Sequence, residues 1–300
     1  MENSTCILPG GYTDENGVRH REVELRALTG REEEILASRK TQSSAALITD
    51  IISQCVMRIG TNGEITKNFA RQLLVADRQF IILKLRELTF GERVRATIQC
   101  LAPGCGSKID IDFSLHDIPV KELEQRGPAY TMELSPQAGL EAADGEIHRE
   151  ISFRLPNGGD QEVVSPMISC NESLALSMLL DRCVLGVGPV SNPDRELVSM
   201  LSPLARLEIE KAMETMAPRL ELAMEVTCPE CLREFEIPFN LQDIFFGEFR
   251  TSLDLLYREV HCLAYHYHWS EREIMEMSKQ QRGKYIEVLA DELERMNDGT

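Results

Sequence analysis

Apolar positions along the chain switch between two periods, and they make the switch twice. Ile48, Ile51, Ile52, Cys55, Val56 and Ile59 recur at helical steps, and Leu176, Leu179, Leu180, Cys183, Val184 and Val187 repeat the pattern. A second helical stretch is expected over residues 69–88 and again over 204–216, the latter opened by Ser202-Pro203, since proline at the first helical position gives up no needed hydrogen bond. The period then falls to two. Val94, Ala96 and Ile98 alternate with polar residues and are answered by Ile109, Ile111 and Phe113; Leu222, Met224 and Val226 are answered by Phe235, Ile237 and Phe239. Such alternation predicts strands, and each pair of runs around a turn predicts a β-hairpin.

The two passes align residue for residue. A shift of 128 places Cys55-Val56 on Cys183-Val184, Gly60 on Gly188, Gly30 on Gly158, Glu34 on Glu162, Arg78 on Arg206 and Cys100 on Cys228. Beyond the cysteines the shift becomes 126, and the run from Phe113 to Ile118 falls on the run from Phe239 to Ile244. The expected fold is therefore α+β: internally duplicated helix–helix–β-hairpin units, joined at a zinc-ribbon-like site, with C-terminal helices. The expected organisation is a first unit with N-terminal strands over residues 1–120, an acidic linker over 121–150, a second unit over 151–248 and a helical tail over 249–300. In the tail, residues 252–296 read as two helices, with Ser270 and Glu273 as a capping box. Leu8-Pro9-Gly10-Gly11 also echoes Leu155-Pro156-Asn157-Gly158-Gly159, at a different shift. Glu32, Glu33 and Glu34 read as the solvated first turn of a helix.

The candidate chemistry lies at the hairpin tips. Cys100 and Cys105 enclose Leu-Ala-Pro-Gly, and Cys228 and Cys231 enclose Pro-Glu. Short turns let two thiolates face one ion at about 2.3 Å, and a structural zinc needs four such ligands in a tetrahedron. One hairpin supplies two, so the expectation is one structural Zn²⁺ per chain held by Cys100, Cys105, Cys228 and Cys231. Metal-free thiols on hairpin turns are the plainer alternative. A redox role for the Cys228–Cys231 pair is disfavoured, because redox motifs of this spacing open a helix and this one lies between alternating segments. Cys55 and Cys183 sit on apolar helix faces and read as small buried hydrophobes. The run from His261 to His268 is expected to be aromatic packing rather than a second metal site. No phosphate-binding glycine loop, nucleophile elbow or His-Glu-x-x-His occurs, so no enzyme is expected.

Charge narrows the partners. Lysine and arginine number 32 against 49 aspartates and glutamates, a net charge of −17, which repels phosphate backbones and anionic lipid. The first residues lack a signal-peptide pattern and no apolar run reaches membrane-spanning length, so a cytoplasmic protein with reduced cysteines is expected.

The stretch from Leu74 through Asp77-Arg78, Phe80, Leu83, Leu85-Arg86 and Thr89-Phe90-Gly91, followed by strand and then Cys100 and Cys105, resembles the T4-type bacteriophage baseplate proteins. The endings Phe113 to Ile118 and Phe239 to Ile244 fit the same family, and the tail around Tyr265 to Glu271 resembles proteins of phage-derived contractile injection systems. The first cysteine pair departs from the commoner two-residue spacing. The resemblance implies a non-enzymatic baseplate component that contacts other baseplate, hub or tube subunits, with no nucleic acid, membrane or small-molecule partner. An assembly chaperone absent from the finished particle is one alternative. A zinc-ribbon regulator binding nucleic acid is another, and the acidic second ribbon, with Glu225, Glu230, Glu234 and Glu236, argues against it.

Overall fold

The computed structural model describes residues 3–38, 43–124, 127–141, 145–168, 170–238, 245–248 and 253–298. Two cores organise it. In the first, strands Asn3–Thr13 and Arg19–Arg26 form an antiparallel hairpin, and Val56–Ile59 adds to the edge of Arg19–Arg26. In the second, the sheet order is Val190–Ser191, Val184–Val187, Glu150–Phe153, Tyr130–Glu133. Residues 130–133 thus belong to a sheet although their acidic, glycine- and proline-punctuated context reads as linker.

In both cores a helix runs straight into a strand. Ser44–Cys55 becomes Val56–Ile59, and Glu172–Cys183 becomes Val184–Val187. Side chains cap the starts, Ser43 accepting from the Ala46 N–H and Asn171 from the Leu174 N–H. The β-branched valines then follow the extended path that the neighbouring strand offers. Pairing is in the same register each time: Val23 faces Ile59 as Ile151 faces Val187, and Leu25 faces Val56 as Phe153 faces Val184. The irregularity in each ladder falls at the same place, after Glu24 and after Ser152. Gly60 and Gly188 leave these strands in the left-handed region, φ 56° and 54°. A side chain at either would strike an imidazole, His20 or His148, so glycine is required twice over.

The helical stretch expected over residues 69–88 is broken into Lys67–Gln72 and Val75–Phe90. No proline or glycine marks the break. Leu74 is extended because it bridges Asn157 of the second core, while the Leu73 carbonyl accepts from the Gly158 N–H at 3.0 Å and the Val75 N–H donates to the Pro156 carbonyl at 3.4 Å. Tertiary hydrogen bonds replace the helical ones. Arg195–Ser199 and Pro203–Met216 show the corresponding break, where Ser202 and Pro203 make it legible. Each unit accordingly holds more helices than two.

Both hairpins form as the alternation predicts: Arg93–Gln99 with Lys108–Ser114, and Ala223–Thr227 with Glu234–Pro238. The second does not stay with its own core. Leu220, Phe245 and Phe246 are buried in the first core beside Val94 and Leu115, and Arg86 pairs with Glu248 at 2.8 Å. Residues 239–244, which carry most of the second copy of the Phe113–Ile118 motif, lie outside the described residues.

The tail forms three helices rather than two, Leu253–Tyr267, Glu271–Met275 and Lys279–Asp298, with the Ser270–Glu273 capping box in place. It packs on helix Gly30–Ser38 and corrects the reading of that helix's glutamates. Glu32 and Glu33 are buried; Glu32 binds Arg26 at 2.9 Å, and Glu33 binds the fully buried Arg282 at 2.8 Å, which also holds Glu259. The glycine-rich echo at Leu8–Gly11 also fails. That segment lies in the first strand, whereas Leu155–Gly159 leads into helix Gly158–Ile168, whose counterpart is Gly30–Ser38. No helix among the described residues is long and apolar enough to cross a membrane.

Candidate metal centre

Each hairpin tip is shaped to aim two sulfurs the same way. In the first, the Cys100 N–H donates to the Ser107 carbonyl (2.8 Å) and the Cys105 N–H to the Ala102 carbonyl (3.1 Å). Gly104 and Gly106 take positive φ to complete the turn. In the second, the Cys228 N–H donates to the Arg233 carbonyl (3.0 Å) and the Leu232 N–H to the Cys228 carbonyl (2.9 Å). Leu232 follows its cysteine as Gly106 does, and takes the left-handed conformation, φ 57°, without being glycine. That costs on the order of 1 kcal/mol or more and persists only where its surroundings hold it.

The tips meet. Cys100 Sγ lies 3.7 Å from Cys231 Sγ, and Cys105 Sγ lies 3.9 Å from Cys228 Sγ, so each hairpin's first cysteine faces the other's second. All four sulfurs lie within 4.8 Å of one another. Four ligands about 2.3 Å from a zinc ion, at the corners of a tetrahedron, stand about 3.8 Å apart. The site is set in a small apolar core of its own, with Ile98, Ile109, Met224, Val226, Phe235 and Ile237 around it. Among the described residues this is the one group of histidine, cysteine and acidic side chains gathered closely enough to hold a metal ion.

Electrostatics favour a cation here. The Ser107 hydroxyl and then its N–H hold the Cys105 thiol down to about 6. Cys100 is pushed up to about 12: the Ala102 N–H pulls it down, but burial and the three neighbouring thiols outweigh that. One sulfur therefore ionises readily and its neighbour resists, as crowded like charges must, and a divalent ion removes the conflict. Four sulfurs leave no coordination position for water, so the arrangement can bind and staple but has no open site for catalysis.

The remaining cysteines stand apart. Burial pushes the thiols of Cys55 and Cys183 up to about 12 and that of Cys6 to about 11, as expected for inert, core-facing groups. In the segment 261–268, Tyr267 stacks on Trp269 at 4.7 Å and meets Tyr285 edge-on. Sequence reasoning missed the buried arginine–carboxylate pairs Arg26–Glu32 and Arg154–Asp160. The signal was present, since both members recur 128 residues apart.

The family described as T4 bacteriophage base plate protein matches residues 1–246, and a family of unknown function (DUF6760) matches residues 251–300. No curated protein and no solved structure matches the chain.

Proposed function

Because the chain belongs to the T4 bacteriophage base plate protein family, we propose that it is a non-enzymatic structural component of the baseplate of a phage-type contractile tail or contractile injection system. It acts through contacts with other baseplate, hub or tube subunits, without nucleic acid, membrane or small-molecule partners, and assembles from the cytoplasm into a phage-tail-like particle. The observation that carries this reading is the family match over residues 1–246.

Within that role the four cysteines hold one structural zinc per chain. The crosswise sulfur distances of 3.7 and 3.9 Å support it. The chain is an internal duplication, supported by register, ladder irregularities, paired arginines and glycine–histidine contacts that all recur 128 residues apart. Its parts are a first unit (1–120), a connecting segment (121–150), a second unit (151–248) and a helical tail (249–300). The tail boundary is supported by the two family matches, which part between residues 246 and 251.

An assembly chaperone that leaves the finished particle is the second reading, and the same family match favours it equally. A zinc-ribbon regulator of nucleic acid is disfavoured, because Glu225, Glu230, Glu234 and Glu236 all project from the second ribbon into solvent. The test is deletion of the gene followed by electron microscopy. Tubes and sheaths unassembled, or lacking baseplates, are expected. Normal, contractile, active particles would refute the role.

A further inference from the structure

Three segments share one construction. An apolar residue and an extended residue lead into a helix whose fourth position is arginine: Leu73-Leu74 before Arg78, Leu201-Ser202 before Arg206, and Met277-Ser278 before Arg282. Two of them are docked, and alike. Leu74 bridges Asn157, and the Leu73 carbonyl accepts from the Gly158 N–H at 3.0 Å. Ser278 bridges Thr29, and the Met277 carbonyl accepts from the Gly30 N–H at 3.3 Å. The two receptors, Thr29-Gly30 and Asn157-Gly158, are themselves 128 residues apart. In both, a glycine opens the receiving helix and leaves room for the incoming chain. A side chain at Gly158 would strike Arg78, and one at Gly30 would crowd Met275 and Arg282. The carboxylates one turn on, Glu162 and Glu34, each bind the docked element, through Arg71 at 2.9 Å and Tyr257 at 2.5 Å.

The third segment has no receptor within the chain. Arg78 and Arg282 are fully buried, whereas Arg206 is half-exposed and donates to Ser177, Ser199 and Leu201 of its own unit. Ala76, covered by the neighbouring unit, corresponds to Leu204, which is 41% exposed. Met200 and Leu207 beside it are more exposed still. The second unit thus presents, uncovered and more apolar, the edge that the first unit buries.

We propose that this edge binds a second copy of the chain: Leu201–Arg206 of one molecule docks on Thr29-Gly30 of another, in the place that the tail segment Met277–Arg282 holds in cis. Continuity with the joint between the two units supports a copy as occupant, and so does charge, because the buried Glu33 at that receptor is paired with an arginine. Tail and neighbour compete for one receptor. The contact is heterologous, so repeating it gives a ring or an open chain. The proposal rests on the duplicated reading of the chain, which superposition of the units in an experimental structure tests separately.

Arg282→Glu in the full chain sets a like charge against Glu33 and should release the tail. Sedimentation velocity should show this variant self-associating at concentrations at least tenfold below the wild type, and adding Arg206→Glu should restore the monomer. A photo-crosslinking residue in place of Leu204 should join residues 28–37 of another copy. A variant that stays monomeric, association indifferent to Arg206→Glu, or crosslinks elsewhere would overturn the proposal. Should Arg282→Glu lose the wild-type circular dichroism, concentrated wild type carrying the crosslinker at Leu207 gives the second reading. Intermolecular crosslinks to residues 28–37 that Arg206→Glu removes are expected there, and their absence overturns the proposal equally.

Discussion

Glu32 and Asp160 carry the same job in the two units. Burial pushes each carboxyl up in pKa, but hydrogen bonds to Arg26 and Thr29 in one case, and to Arg154, the Asn157 N–H and Arg182 in the other, more than offset it. Both are therefore held below their ordinary values. The stability they contribute is present above the unfolded carboxyl pKa and is lost as pH falls through the depressed folded values. Arg26→Met would leave Glu32 buried with its Thr29 bonds alone, and about 3 kcal/mol of loss is expected in urea unfolding at neutral pH, the lower end for a broken buried pair. Asp77 behaves oppositely. Burial raises it to about 6 against the Gly10 and Gly11 N–H groups that pull it down. Its contribution is full below the unfolded value and lost as pH rises through the folded one, so Asp77→Asn should lose less stability than wild type between pH 4 and pH 7. The difference, of the order of 3 kcal/mol, follows from a shift of roughly two units. Equal pH slopes for the two proteins would contradict the assignment. None of these partners was legible locally. Acidic residues in a first helical turn suit the helix dipole in water just as well, and Arg282 lies far along the chain from the Glu33 it binds.

At the scale of elements, the hairpins are the part most dependent on the metal. Two-stranded ribbons are marginal on their own, and these two share a small apolar core separate from the others. Cys228→Ser should abolish stoichiometric zinc and speed amide exchange in residues 94–113 and 223–238 on the order of a hundredfold, about 3 kcal/mol of lost local protection. The helical circular dichroism should be kept. Unchanged exchange in the ribbons would mean that the sulfurs stabilise nothing. The ribbons and their cysteines were legible because a period of two, a short turn and paired thiols are all local signals. The break at Leu73-Leu74 was not, since only the backbone of residues 156–158, brought up by tertiary folding, accounts for it. Its counterpart at Ser202-Pro203 could be read because its cap is written in the sequence.

For the whole molecule, a constant offset says which residues are alike but not which copy packs on which. The offset anticipated the common register of the two sheets. It was silent on Leu220, Phe245 and Phe246 entering the first core, and on the tail covering helix Gly30–Ser38. Those arrangements depend on which apolar faces remain open after each unit has folded, a property of the assembled chain rather than of any segment. The same reasoning extends outward, because a protein that works by contact is completed by its neighbours. The central claim, that this chain is a built-in part of a baseplate, is tested most directly by quantitative mass spectrometry of purified particles from the native host. The account predicts peptides of this chain at a fixed ratio to the tube subunit, with zinc in equal number to the chain. Particles that need the gene to assemble but contain none of its product would contradict it and leave the assembly helper in its place.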